Sequence, residues 1–221
     1  MKKNLFFMFL TLTLFINNSY AFYMLKVPKI VKIVKKGISS YKTKKVIKKT
    51  VCSSENAING EITEIFAIYF YTSSGWKYLK GTHNLRRNGI DAIFYKKNSK
   101  GIYDVLIIEA KYNGSSLKNT LNGKQMSKSW ILHNLKKLEI KYPDEKKYKT
   151  IRKFVEKDIY RGEIFKLIPN NGKPFVKLYK VKKKGFSSIA LYEYRKIDIS
   201  KNAKLFSKFS KISKKMKKLC K

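Results

Sequence analysis

The acidic residues of this chain are few, and their positions suggest where chemistry takes place. The 221 residues include 14 Asp and Glu against 51 Lys and Arg, and residues 1–54 contain no acid. Glu109 and Lys111 lie two apart at the end of an apolar run, so on a strand their side chains share one face with Val105 and Ile107. A protein tolerates such charges in its interior when they are paired or hold a metal. The alternative is an exposed salt bridge.

Further carboxylates are expected near this pair. Asp91 begins the neighbouring strand, which a hairpin brings beside Glu109. Glu61 and Glu64 are three apart on a helix and project from a similar face. Carboxylates converging beside a lysine suit a hard divalent cation with oxygen ligands, Mg²⁺ or Mn²⁺. On a phosphodiester, such an ion polarises the phosphoryl oxygen and generates hydroxide, while the lysine stabilises developing charge or helps to activate the water.

Helical and strand patterns predict the scaffold that positions these residues. A helix is expected over 57–71, capped by Ser53 or Ser54. Strands following helices predict an α/β core with a mixed sheet flanked by helices. The further elements are strands over 90–95 and 102–112 around a polar turn, helices over 130–142 and 146–160, a hairpin of 163–168 with 175–181, and a strand over 187–194.

Two motifs give the chain a resemblance to a nuclease superfamily. Gly-Ile-Asp at 89–91, followed after seventeen residues by Glu-Ala-Lys at 109–111, resembles the PD-(D/E)XK pattern. Gly-Glu at 60–61 and Gly-Lys-Gln-Met-Ser-Lys-Ser-Trp-Ile at 123–131 resemble a narrower group, the nuclease domains of bacterial polymorphic and contact-dependent growth inhibition toxins. The resemblance covers about residues 55–195 and implies a restriction-endonuclease-like core.

The resemblance also implies roles for individual residues. Gln125 would begin the helix after the site and contact substrate or support the site, whereas Trp130 would belong to the core. The implied site residues are Asp91, Glu109 and Glu61 as metal ligands, Glu64 as the alternative to Glu61, Lys111 as the catalytic lysine, and Gln125.

The function implied is metal-dependent hydrolysis of phosphodiester bonds, with DNA as the preferred substrate and little sequence specificity. The same resemblance implies a toxin, with a dedicated immunity protein as its partner. A leader sequence of its own suits a stand-alone extracellular DNase at least as well. Related toxin nucleases cut transfer RNA, so RNA is the alternative substrate.

Both ends of the expected nuclease domain are strongly basic. The extension over 22–54 and the segment over 201–221 are rich in lysine and contain no acid, so the acidic residues lie in the domain between them. Apolar residues at steps of three and four predict an amphipathic helix in the C-terminal segment. Its apolar stripe packs on the domain, lies on an anionic membrane or accompanies a nucleic-acid backbone. A non-enzymatic cationic protein that binds nucleic acid or membranes is the rival interpretation.

Residues 1–21 have the charged start, apolar run and small residues of a signal peptide, with cleavage after Ala21. This predicts a secreted or periplasmic protein. In that compartment Cys52 and Cys220, the two cysteines, most simply form one disulfide. His83 and His133 lie fifty apart without a third histidine, so we interpret both as structural or substrate-contacting.

Overall fold

The fold is described here for residues 52–79, 89–97 and 103–220 of a computed structural model. The expected signal peptide, nearly all of the basic N-terminal extension, and His83 lie outside these ranges. Among the described helices, none combines the length and the apolar character needed to cross a membrane.

A mixed sheet forms the centre of the domain. Its strands, in chain order, are β1 (Lys77–Leu79), β2 (Ala92–Lys97), β3 (Tyr103–Tyr112), β6 (Arg161–Ile168), β7 (Phe175–Lys183) and β8 (Ile189–Asp198). They are arranged in the order β1-β2-β3-β6-β7-β8, and β3 and β6 are parallel while the other neighbours are antiparallel. The short strands β4 (Asn119–Thr120) and β5 (Gly123–Lys124) form a separate ribbon.

Helices cover both faces of this sheet. The helices are α1 (Glu55–Ser73), α2 (Lys128–Lys141), α3 (Lys147–Glu156) and α4 (Ala203–Leu219). Alternation along β3 sends Val105 and Ile107 into a core with α2 and α3, and sends Leu106 and Ile108 into a second core with α1 and α4. The predicted α/β class, with a mixed sheet flanked by helices, is therefore confirmed.

Helix α1 begins and ends where its sequence provides local signals. The Ser54 hydroxyl accepts a hydrogen bond from the backbone N–H of Ala57 at 3.2 Å, which satisfies one of the free donors of the first turn. Gly75 follows the helix with φ of 85°, a conformation that costs other residues more. The buried positions recur every three or four residues, at Ile62, Thr63, Phe66, Ala67 and Tyr71.

Several predicted boundaries differ from those of the structure. Strand β2 begins at Ala92 rather than at 90, so Asp91 immediately precedes it. Helix α3 ends at Glu156 rather than at 160, and Asp158 has a positive φ of 61°, which a helix does not accommodate. The expectation that Gln125 begins a helix is wrong, because α2 begins at Lys128 after the N-cap Ser127.

The C-terminal helix is fixed to the rest of the domain. Leu205, Phe209 and Ile212 of α4 pack on the core that contains α1. A disulfide joins Cys52 to Cys220, with an S–S distance of 1.99 Å, and confirms the predicted pairing. These side chains of α4 therefore pack within the protein, whereas Phe206 is exposed.

Candidate active site

Asp91 and Glu109 meet where β2 begins and β3 approaches its end. The two strands are antiparallel, and Ala92 pairs with Ile108, which places Asp91 beside Glu109 as the sequence predicts. The Asp91 carboxylate accepts a hydrogen bond from the backbone N–H of Ala110 at 2.7 Å. Glu109 is only 3 % exposed. The carboxylate of half-buried Asp91 is thus held beside that of buried Glu109.

Lys111 contributes a positive charge to the same place. It lies two residues after Glu109 on β3, and its Nζ is 2.8 Å from Glu109 Oε1. The side chains are 13 % and 5 % exposed, so this ion pair is largely shielded from water. It is therefore not an exposed salt bridge, which was the alternative interpretation of this pair from the sequence.

Gln125 links the lysine and the carboxylate. Its Oε1 accepts hydrogen bonds from Lys111 Nζ at 3.1 Å and from the backbone N–H of Lys118 at 2.9 Å. Its Nε2 donates to Glu109 Oε1 at 3.1 Å. The backbone N–H of Gln125 also donates to the Lys118 carbonyl, so the residue is held on both sides. Gln125 therefore orients Lys111 and Glu109 from the turn between β5 and α2.

The two helix glutamates differ in their influence on the pair. The charge of Glu64 raises the pKa of both Asp91 and Glu109. Glu61, one turn earlier on α1, is not among the main charges acting on either pKa within the described residues. Glu64 is thus the helix glutamate whose charge acts on the pair, and the site roles implied for Glu61 and Glu64 both stay predictions.

Burial makes both carboxylates reluctant to ionise. Loss of hydration, with the charges of Glu109 and Glu64, raises the pKa of Asp91 well above its usual range, against the hydrogen bond from Ala110 and the charge of Lys111. Loss of hydration also raises the pKa of Glu109 from 4.5 to about 7, although Lys111 opposes this shift. If both carboxyls were ionised, the site would carry more negative charge than Lys111 alone balances, which is why protonation is favoured without a further cation.

One oxygen of the site has a vacant hydrogen-bonding capacity. Glu109 Oε2 is buried and has no hydrogen-bond partner among the described residues, whereas Oε1 has two. Buried carboxylate oxygens ordinarily have partners, so this atom requires an explanation. A divalent cation at Oε2 would satisfy the oxygen and favour the ionised forms of Glu109 and Asp91.

The residues present fit Mg²⁺ or Mn²⁺ if waters and substrate phosphates supply the remaining ligands of the ion. The described residues contain no group of three or more His, Cys, Asp or Glu side chains arranged to hold a metal. Mg²⁺, however, usually retains several waters and binds through one or two carboxylates together with substrate phosphates. Asp91 and Glu109 would hold it in this way, with Glu64 nearby.

Trp130 and His133, which the sequence also brought into consideration, are not part of the carboxylate cluster. Trp130 is 4 % exposed and packs in the core with α2 and α3, which confirms its structural interpretation. His133 is on α2, where partial burial and then Lys137 and Lys136 lower its pKa. Neither residue contributes to the carboxylate cluster.

A buried acid that the sequence analysis did not single out lies on the opposite face of the sheet. Glu163 Oε2 accepts hydrogen bonds from the hydroxyl of Tyr71 at 2.7 Å and from the hydroxyl of Tyr194 at 2.9 Å. Glu163 pairs with Ile108 in the sheet, next to the Glu109 position but facing away from it. An isolated acid within an apolar strand was the available signal. Its two tyrosine donors satisfy it without a metal.

Comparisons of the chain with models of protein families, with curated proteins and with solved structures found no match.

Proposed function

We propose that this protein is a metal-dependent nuclease that hydrolyses phosphodiester bonds, with DNA as its preferred substrate and RNA as the alternative. The observation that carries the proposal is the cluster of half-buried Asp91 and Lys111 around buried Glu109, with Glu109 Oε2 lacking a partner among the described residues. Its residues are those of the PD-(D/E)XK pattern, and the mixed sheet is compatible with a restriction-endonuclease-like core.

Asp91 and Glu109 would bind the cation, with their oxygens directed by the Ala110 N–H and by Gln125. When bound, Mg²⁺ supplies Lewis acidity to a phosphoryl oxygen and lowers the pKa of a water ligand. The negative charge of Glu64 on α1 acts on both carboxyls and so favours the binding of a cation beside them. A phosphodiester is itself an anion, so it would approach these carboxylates only when a metal ion is bound there.

In the proposed mechanism Lys111 acts on the substrate as well as balancing charge. A lysine ammonium has three N–H donors, and in the described contacts two of them are directed to Glu109 Oε1 and Gln125 Oε1. The third remains for a phosphoryl oxygen. An ammonium whose orientation is fixed in this way stabilises the negative charge that develops there during hydrolysis.

Two further observations support export and oppose the membrane-binding rival. A disulfide between Cys52 and Cys220 suits an oxidising compartment, as the expected signal peptide does. Leu205, Phe209 and Ile212 of α4 pack on the core, so these side chains face the protein rather than a bilayer, whereas Phe206 is exposed. The basic surface of the helix remains free to attract a polyanion.

Cleavage assays on plasmid DNA and on transfer RNA, in Mg²⁺, Mn²⁺ or EDTA at one fixed salt concentration, test the proposal. Glu109→Gln should reduce cleavage to background, and Lys111→Met should reduce its rate by about 10²–10³-fold, the usual effect of losing a donor to developing charge. Asp158→Asn and Lys183→Met remove an exposed ion pair and serve as matched controls.

Metal-dependent cleavage that survives in the controls and is lost in both site variants would support the proposal. Cleavage in EDTA, or a Lys111→Met rate within threefold of that of the original protein, would contradict it. Cleavage of RNA but not DNA would leave the chemistry intact and overturn the substrate preference. Nucleic-acid binding without cleavage in any metal would favour the cationic binding protein.

A further inference from the structure

Four lysines form a continuous row across the sheet, beginning at the candidate active site. Lys111 on β3 pairs with Lys166 on β6, Lys166 pairs with Lys177 on β7, and Lys177 pairs with Lys196 on β8. Residues directly paired on neighbouring strands point to the same face of a sheet. All four side chains therefore project from the face that bears Glu109.

The row leads from a shielded position to an open one. Lys111 is 13 % exposed, Lys166 and Lys177 are half-buried, and Lys196 at the edge strand is exposed. Neighbouring strands are about 4.8 Å apart, so the three steps from Lys111 to Lys196 span about 14 Å, perpendicular to the strands. The row is thus a continuous basic path from the carboxylate cluster to the edge of the sheet.

Acidic neighbours neutralise only part of this row. Glu109 pairs with Lys111, and Glu193 pairs with Lys177 at 2.8 Å. Among the described residues, no carboxylate lies within ion-pair distance of Lys166 or Lys196. Four lysines and two glutamates leave two positive charges.

The remaining nearby acid is turned to another partner, and an aromatic ring supports the outermost lysine. Asp198, on the same face of β8, accepts hydrogen bonds from the backbone and hydroxyl of Ser200. The ammonium of Lys196 lies 4.4 Å from the ring centre of Phe175, and this cation–π contact restrains its position. Like charges directly opposite on neighbouring strands destabilise a sheet. A polyanion bound along the row would offset this repulsion between the lysines by attracting each of them.

We propose that the phosphodiester backbone of the nucleic acid lies along this row, with successive phosphates bound by Lys166, Lys177 and Lys196. This assignment rests on the proposed function, because it makes the row the binding path for the strand that flanks the bond cleaved at Lys111. The occupant is a phosphodiester chain, and single-stranded DNA, duplex DNA and RNA are separate arms of its test.

Binding in EDTA tests the row separately from the chemistry. The double variant Lys166→Gln, Lys196→Gln removes the two lysines of the row that have no ion-pair partner among the described residues. The matched control is Lys180→Gln, Lys182→Gln on the opposite face of β7. Each pair includes one lysine over an aromatic ring, Lys182 being 4.3 Å from the ring centre of Tyr192.

The measured quantity is the salt dependence of the affinity for short fluorescent oligonucleotides. Between about 50 and 200 mM KCl, the slope of log K against log salt should decrease by about 1.4 for single strands or about 1.8 for duplex DNA in the row variant, since two phosphate contacts are lost. The control should change the slope by less than about 0.5. The form that follows the row is the oligonucleotide whose decrease reaches its own expected value, about 1.4 for a single strand or about 1.8 for a duplex.

The outcomes separate the row from the nuclease activity. Equal slope changes in the row variant and in the control, or none in the row variant, would overturn the row as the backbone path even where metal-dependent cleavage is present. A slope change confined to the row variant would support the path, and would do so even if no metal allowed cleavage. Circular dichroism and the urea midpoint of both double variants establish that each is folded.

Discussion

Glu109 provides a stability test of the buried carboxylate site. The perturbation is Glu109→Gln in the metal-free protein, which keeps the size of the side chain and its Oε1 acceptor but removes its charge. In the structure, burial raises the pKa of this carboxyl from 4.5 to about 7. The folded protein therefore binds a proton at this group more tightly than the unfolded chain does.

The sign of the pH dependence follows from this difference. Stability associated with Glu109 is fully present below about pH 4.5 and is lost as pH rises to about 7, because the folded state must give up a proton that it holds tightly. Each tenfold step in proton affinity corresponds to about 1.4 kcal/mol. The shift from 4.5 to about 7 thus makes the metal-free protein about 3 kcal/mol less stable at pH 8 than at pH 4.5, apart from other groups.

Urea denaturation in EDTA measures this difference. The free energy of unfolding is determined for the original protein and for Glu109→Gln at about pH 4.5 and about pH 8. The change between the two pH values should be smaller in the variant by at least about 3 kcal/mol, because removing the Glu109 charge also lowers the pKa of neighbouring Asp91. Any constant effect of the new amide cancels in this comparison. Glu193→Gln is the control, because hydrogen bonding to Lys177 lowers the pKa of Glu193 and so predicts the opposite sign.

Mg²⁺ provides a second arm of the same experiment. A cation held by Asp91 and Glu109 binds their ionised forms, so Mg²⁺ at a hundred times its dissociation constant should stabilise the original protein by about 2.7 kcal/mol near pH 8. Glu109→Gln should lose most of this stabilisation. An identical pH dependence in the original protein and the variant, together with no stabilisation by Mg²⁺ or Mn²⁺, would refute the buried metal site.

The remaining predictions concern residues around the site and the two ends of the domain. Replacing Cys52 and Cys220 by alanine should lower the free energy of unfolding by up to about 5 kcal/mol on the chain-entropy account, since the bond closes a loop with a sequence separation of 168, and an unchanged urea midpoint would contradict this. Tyr71→Phe removes a donor to buried Glu163 and should cost about 1–3 kcal/mol in the same assay; a loss below 0.5 kcal/mol would argue against the hydrogen bond. Gln125→Leu should reduce the cleavage rate about 10–100-fold, more through kcat than KM, and a change in KM alone would point to substrate binding instead.

Local patterns were sufficient to predict the elements around the carboxylates. Alternation along β3 correctly separated Ile107 from Ile108 into different cores, and a hairpin correctly brought Asp91 to Glu109. These features depend on neighbouring residues and on the two-residue period of a strand. The type of sheet followed from the order of helices and strands.

Contacts that depend on long-range register could not be obtained in the same way. Lys166, Lys177 and Lys196 are separated by turns, and their alignment with Lys111 depends on how four strands pair. Gln125 was placed at a helix start, but a positive φ at Met126 and the Ser127 cap delay the helix. Which of the two α1 glutamates influences the pair depends on how that helix packs against the sheet, so the sequence alone left both open.

The substrate-free protein has two electrostatic costs, which ligands of opposite charge would relieve. The carboxyls of half-buried Asp91 and buried Glu109 lie beside each other and resist ionisation, whereas Lys111 begins a row of lysines that repel one another. A divalent cation relieves the first cost, and a phosphodiester chain relieves the second. A phosphate bound at Lys111 would also offer oxygens to the cation. Metal and nucleic acid should therefore bind more tightly together than either does alone, because each brings the charge that the other lacks.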